Sequence, residues 1–304
     1  MSKKERIAVA RELAAMHREE ARARRKRNRR LLLAGTAFGV VVILALAAWA
    51  LWARYQETLA GPANMLSDGI VFTGDGSETT AVTTSRIEPG ASPVATDPDS
   101  YSSYPYIVAY LDPGDADSQT FWSTESDSLS SWLTSGYIAL ELHLVASSGS
   151  FAEHAANALA CVANSDPDDA ITVLTALMTA GASDDASSRT ADGVLGVVSN
   201  AGISDEDVLD CVRDDRYAAW VEAETTRAET SIPNADVDNA ATLPVVLVDE
   251  VAYTDAYDDA DAFLEFITER YEAAEEESSS EDSDDSTATA TPTESSTDTS
   301  TDAG

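Results

Sequence analysis

Hydrophobic and polar positions along the chain fall into stretches of two distinct periods. Ile70 to Thr73 and a β-prone stretch from Thr79 to Thr84 flank the turn Gly74-Asp75-Gly76, the pattern of two short strands. Tyr106 to Leu111 is a short continuous apolar run, the form taken by a central strand covered on both faces. From about Asp117 to Ser135 the apolar residues Phe121, Trp122, Leu129, Trp132 and Leu133 fall on one helical face, and Gly136 marks the stop. Tyr137 to Ala146 then alternates as another strand. Four helical stretches follow, near 151–164, 167–180, 187–200 and 205–229. Asp166-Pro167 and Ser204 stand at starts, and Gly181 and Gly202 at ends. Val245 to Val248 and Val251 to Thr254 read as a hairpin, and residues 256–274 as a final helix. The order predicts an α/β domain whose two strand-bearing halves are separated by an all-helical insertion.

One apolar stretch belongs to a different class. Leu31 to Ala53 holds no charged residue, long enough to span the ~30 Å hydrocarbon core as a helix. Trp49, Trp52 and Tyr55 gather at its far end, where aromatic rings favour the headgroup region. The first 30 residues carry twelve Lys or Arg against four Glu, whereas the chain beyond residue 53 carries seven Arg, no Lys and fifty Asp or Glu. The overall net charge of −35 therefore hides a basic leader and an acidic remainder. A basic flank stays on the cytoplasmic side, so the expectation is a single-pass cell-membrane protein with residues 1–30 inside and everything beyond Arg54 extracytoplasmic. A cleaved signal peptide is the rival reading. Ala45-Leu46-Ala47 has a small-x-small shape, but it lies inside the apolar run, which exceeds the usual length of a signal core. The leader reads as a topology signal lying on anionic lipid. Gly35 and Gly39 form a GxxxG pair of a kind common in membrane helices.

Residues 54–66 read as a stalk, 67–274 as one domain large enough for a sizeable core, and 275–304 as an acidic Ser/Thr-rich tail. The tail holds no aromatic and no aliphatic residue larger than Ala, so it is expected to be disordered. Such acidity argues against nucleic acid as a partner.

The candidate chemistry sits at the start of the long helix. In Ile107 to Trp122, IVAYLDPGDADSQTFW, an apolar run ends at Asp112-Pro113, a polar turn follows, and a helix opens with Phe121. This order of parts resembles the active-site entrance of DsbA-like thioredoxin-fold proteins. These carry Cys-Pro-x-Cys there, with an aromatic three residues after the second cysteine. On that resemblance the tetrad here is Asp115-Ala116-Asp117-Ser118, a degenerate site without either cysteine. Leu243-Pro244, just before VVLV, stands where the family has a cis-proline facing the active-site turn; the usual preceding residue is Thr or Val, so Leu243 departs from the pattern. Phe151 to Val162 resembles the alanine-rich first insertion helix of actinobacterial members. Asp210-Cys211-Val212 with Tyr217 to Val221 resembles the end of that insertion. The resemblance covers about residues 68–273. It implies a thioredoxin-like fold with an inserted helical domain at about 150–230, preceded here by the single transmembrane helix. The family activity would be protein disulfide oxidoreduction.

Cys161 and Cys211 are the only cysteines, and an even count in an oxidising compartment favours a structural disulfide over a redox-active pair. Their positions on the first and last insertion helices match the non-catalytic disulfide of the actinobacterial relatives. Thiol–disulfide exchange needs a thiolate, which neither Asp115 nor Ser118 supplies. The acids of the tetrad suit helix capping and the helix dipole. A calcium loop through Asp112, Asp115 and Asp117 fails on spacing, since position 126 is Ser where such a loop needs Glu. No metal and no cofactor is expected. A hydrolase built on Ser118 lacks a base, and His143 and His154 read as structural histidines. The expected function is that of an accessory module. It would bind an unfolded polypeptide or an envelope protein at a groove formed by Leu243, Pro244 and the Asp115–Ser118 turn. Two alternatives are a disulfide-pathway component working with a partner's cysteines, and a structural envelope protein.

Overall fold

A computed structural model describes residue 39 and residues 42–50, 60–101 and 105–285, with side chains up to residue 274. The chain divides into two compact units, Met1–Glu57 and Thr58–Gly304. In the first, residues 42–50 are helical, and Ile43, Leu44, Leu46 and Trp49 are exposed. Among the described residues no helix is long and apolar enough to cross a membrane. The basic leader, most of the span from Leu31 to Ala53 and the first part of the stalk, residues 54–59, lie outside the described residues.

The second unit is built on a six-stranded sheet of β1 (Ile70–Gly74), β2 (Thr79–Ala81), β3 (Tyr106–Leu111), β4 (Ala139–Leu144), β5 (Val245–Val248) and β6 (Val251–Ala252). The spatial order is β2-β1-β4-β3-β5-β6. β3 and β4 pair in parallel, with Tyr106 opposite Ala139 and Leu111 opposite Leu144. Every other pairing is antiparallel. The helix α1 (Ala116–Thr134) makes the crossover between the parallel strands, as such a pair requires. Phe121, Trp122, Leu129 and Leu133 of α1 are buried on the sheet's first face, with Ile107, Ala109 and Leu111 of β3.

Between β4 and β5 stands the insertion: α2 (Ser150–Ser165), α3 (Ala170–Ala182), α4 (Ala191–Asn200), α5 (Glu206–Arg213) and α6 (Ala218–Thr230). The small residues Ala152, Ala155, Ala156, Ala158, Ala160 and Ala163 make α2 a thin central rod around which the others close, and all six are buried. The Trp122 indole N–H donates to Thr175 Oγ1 at 3.0 Å, tying α1 to α3.

The predicted single helix over 205–229 is two. Asp215 takes a left-handed φ of 46° and breaks the run. Side chains of α2 satisfy the break, since Asn157 Oδ1 accepts from the Tyr217 N–H at 2.8 Å and His154 Nδ1 lies 3.0 Å from Asp215 Oδ1. The stretch predicted at 187–200 is helical only from Ala191, after the Thr190 cap, because Thr190 Oγ1 accepts from the Gly193 N–H and sets the start there. The last helix, α7 (Ala260–Asp285), runs past the expected boundary at 274. The helix formers of Ala273-Ala274-Glu275-Glu276-Glu277 contain no breaker, so propensity carries the helix into a segment too polar to form a core. The rest of the tail lies outside the described residues.

Candidate functional site

The turn between β3 and α1 is fixed by Asp112, which is fully buried at the end of β3. Its Oδ1 accepts from the Gly114 N–H at 2.6 Å, and its Oδ2 accepts from Ser147 and Ser148 at 2.9 and 2.8 Å. The carboxyl thus clamps its own turn to the loop after β4. Burial pushes its pKa above the ordinary carboxylate value, against the pull of these hydrogen bonds. The insertion closes on the same turn. A Cβ on Gly181, at the end of α3, would lie 1.9 Å from the Pro113 carbonyl oxygen, so only glycine permits that approach. Gln119 Nε2 donates to the same carbonyl at 2.7 Å.

Asp115 is the N-cap of α1, its Oδ1 accepting from the Ser118 N–H at 2.7 Å. Capping of this kind stabilises a helix by about 1 kcal/mol. Ala116 and Asp117 are exposed, while Ser118 is buried, with its hydroxyl accepting from the Asp112 N–H at 3.3 Å. The Ser118 hydroxyl is therefore turned into the protein and away from a reactant. The two histidines expected to be structural lie elsewhere: His143 on the second face of the sheet against Glu141, and His154 beside Asp215.

The Leu243-Pro244 peptide is cis. Pro244 meets the α1 turn through a residue that sequence reasoning passed over. Tyr257 donates its hydroxyl to the Pro244 carbonyl at 3.1 Å and sets its ring edge-on against Phe121, with centroids 6.2 Å apart. Burial pushes the pKa of the Tyr257 phenol up, and the charges of Asp117 and then Asp115 push it further. The i,i+4 pair Tyr253 and Tyr257 after the hairpin was the available signal. Leu243 turns the other way and packs, half-buried, with Tyr110, Val145 and Ile232 on the second face. Beneath Tyr253 and Tyr257, Glu125 of α1 is buried with one oxygen unpartnered; burial and then the charge of Asp259 push its carboxyl up to about 7.

Cys161 of α2 and Cys211 of α5 are joined, with Cα atoms 5.8 Å apart, inside the insertion. Among the described residues no group of three metal-ligating side chains gathers in one place.

Strand order β4-β3-β5-β6, a helical crossover between the parallel pair, a cis-proline opening β5 and a closing helix define a thioredoxin-like α/β fold carrying a helical insertion. Among solved structures the chain is similar to the thiol-disulfide oxidoreductase MdbA of Actinomyces oris (16% identity, TM-score 0.46), over 55% of this chain and 80% of that one. It is similar to reduced DsbA of Mycobacterium tuberculosis (18%, 0.47), over 67% and 92%. It is also similar to oxidised BdbD of Bacillus subtilis (15%, 0.49), over 70% and 97%. No protein-family model and no curated protein matches the chain.

Proposed function

We propose that this chain is a redox-inactive, DsbA-like binding module, anchored by Leu31 to Ala53 with its folded domain outside the cytoplasm. It holds an extended segment of an unfolded polypeptide or envelope protein along the edge opened by Pro244. One observation carries the reading: the cis-proline loop and the α1 turn are held together through Tyr257, while the turn offers Asp115 and a buried Ser118 in place of thiols. The binding edge is thus kept without the nucleophile that disulfide exchange requires. Asp115 and Asp117 favour a segment bearing Lys or Arg.

The test uses the full chain in a mild detergent and a reduced, alkylated unfolded polypeptide as ligand. A photocrosslinker at the exposed position 116 is expected to capture that polypeptide, and Pro244→Ala to reduce the yield severalfold. Insulin reduction and oxidative refolding are expected to show no catalysis. Catalysis that disappears in a Cys161→Ala, Cys211→Ala double variant, or capture indifferent to Pro244, overturns the reading.

A further inference from the structure

The second face of the sheet carries a chemistry that the Pro244 edge does not use. Glu141 and His143 of β4 are buried there, with Tyr106 and Tyr110 of β3 beside them. His143 Nε2 lies 3.1 Å from Glu141 Oε1, and the imidazole stacks on Tyr110 with ring centroids 4.2 Å apart. A Cβ on Gly69 would come within 2.4 Å of Nε2, so the ring is pinned flat against that backbone. Its other nitrogen, Nδ1, is buried without a hydrogen-bond partner.

Beside this pair a cavity of about 490 Å³ opens between α6 and the sheet, roofed by Ser92, Pro93 and Ala95. That volume lies within the range of small-molecule sites, roughly 300–1,000 Å³. Its ionic pairing is uneven. Asp68 is matched by Arg227, whose Nε and Nη2 each donate to it at 2.7 Å. Glu141 is matched by His143, Ser67, Thr96 and Tyr106. Glu224 of α6, buried in the wall, meets no hydrogen-bond donor beyond its chain neighbour Thr225. Burial and then the charge of Asp68 hold it well above the ordinary carboxylate range, against the pull of Arg227. The site therefore has acceptors to spare and one carboxyl in excess, beside an aromatic ring and apolar walls. A complementary ligand is a cationic donor with an apolar body, and an anion meets an acid surplus. Three metal-ligating side chains do not gather here, which favours an organic cation over a metal ion.

We propose that this cavity binds a small organic amine, its ammonium taken by Glu224 and its apolar part lying against Tyr110, Ala95 and Ile232. The covered carboxyl aims an oxygen at the ligand by turning about its terminal torsion, which is soft in Glu. The site stands on the opposite face from the Pro244 edge and holds whether or not that edge binds polypeptide.

The experiment is titration calorimetry on the full chain in detergent with 2-phenylethylamine, hexylamine and cyclohexylmethylamine, against 2-phenylethanol and 3-phenylpropanoate. At least one amine is expected to bind roughly tenfold or more tighter than the alcohol, a margin of about 1.4 kcal/mol, with the carboxylate weakest. Repeating the titration in buffers of different ionisation enthalpy is expected to show release of about one proton per amine, as Glu224 ionises on pairing. Glu224→Gln removes the preference for the amine, and Ile232→Trp fills the cavity and removes binding altogether. If either variant fails to fold, the proton count on the unaltered chain decides. No amine binding at millimolar concentration, an alcohol as tight as its amine, binding without proton release, or binding that survives Ile232→Trp overturns the proposal.

Discussion

Replacing Glu125 by Gln tests whether the carboxyl beneath the tyrosine pair governs how stability varies with pH. In the folded chain burial and Asp259 raise this group from the usual 4.5 to about 7. Below 4.5 folded and unfolded forms are both protonated, and the group takes nothing from stability. Between 4.5 and 7 the unfolded chain ionises while the folded one keeps its proton, so stability falls as pH rises. Above 7 the loss is complete and flat. A displacement of that size corresponds to about 3 kcal/mol. Because the protein and nearby water relax around a newly charged carboxyl, the expected loss is about 1–2 kcal/mol. Gln keeps the shape and cannot ionise. Urea unfolding of both forms, followed by tryptophan fluorescence between pH 4.5 and 8, should give equal stabilities at the acid end. The variant should then lead by about 1–2 kcal/mol at pH 8. Taking the difference between the two cancels the other titrating groups. Parallel curves for the two proteins across pH 5–7 would refute the reasoning.

Two further perturbations test the frame. Replacing both Cys161 and Cys211 by Ala opens a loop spanning a sequence separation of 50, with an expected loss of about 4 kcal/mol in the chain-entropy model, read as a lowered urea midpoint; an unchanged midpoint would refute a stabilising role. Gly181→Ala puts a methyl group against the Pro113 carbonyl. It is expected to cost about 1–3 kcal/mol and to raise amide exchange in residues 113–119, where a silent substitution would mean that the insertion does not brace the turn.

The fold was legible where one period ran without competition. Tyr106 to Leu111 is a continuous apolar run, and the strand has those bounds. The face of α1 was readable from Phe121, Trp122, Leu129 and Leu133, all buried. Legibility failed where one segment answers to another distant in sequence. The break at Asp214–Tyr217 depends on Asn157 and His154, some sixty residues earlier. The alternation of β4 suggested one wet face, yet all six of its residues are buried, because α6 and the 92–95 roof cover Glu141 and His143. Period two distinguishes polar from apolar sides and is blind to what later covers the polar one. The turn at Asp115–Ser118 was readable as a helix start. Tyr257, which links it to Pro244, was not, since its partner lies across the hairpin.

The wiring of Glu141 bears on how this sheet can change over evolutionary time. Its two oxygens serve donors from four places: Ser67 before β1, Thr96 in the loop, Tyr106 on β3 and His143 on its own strand. Exchanging the acid alone strands all four, and exchanging one donor leaves a buried charge short of a bond. An apolar version of this face is a perfectly good fold, but every single-step route toward it descends first. The hub thus works as a historical lock, and lineages that share it are expected to vary these five residues together or not at all.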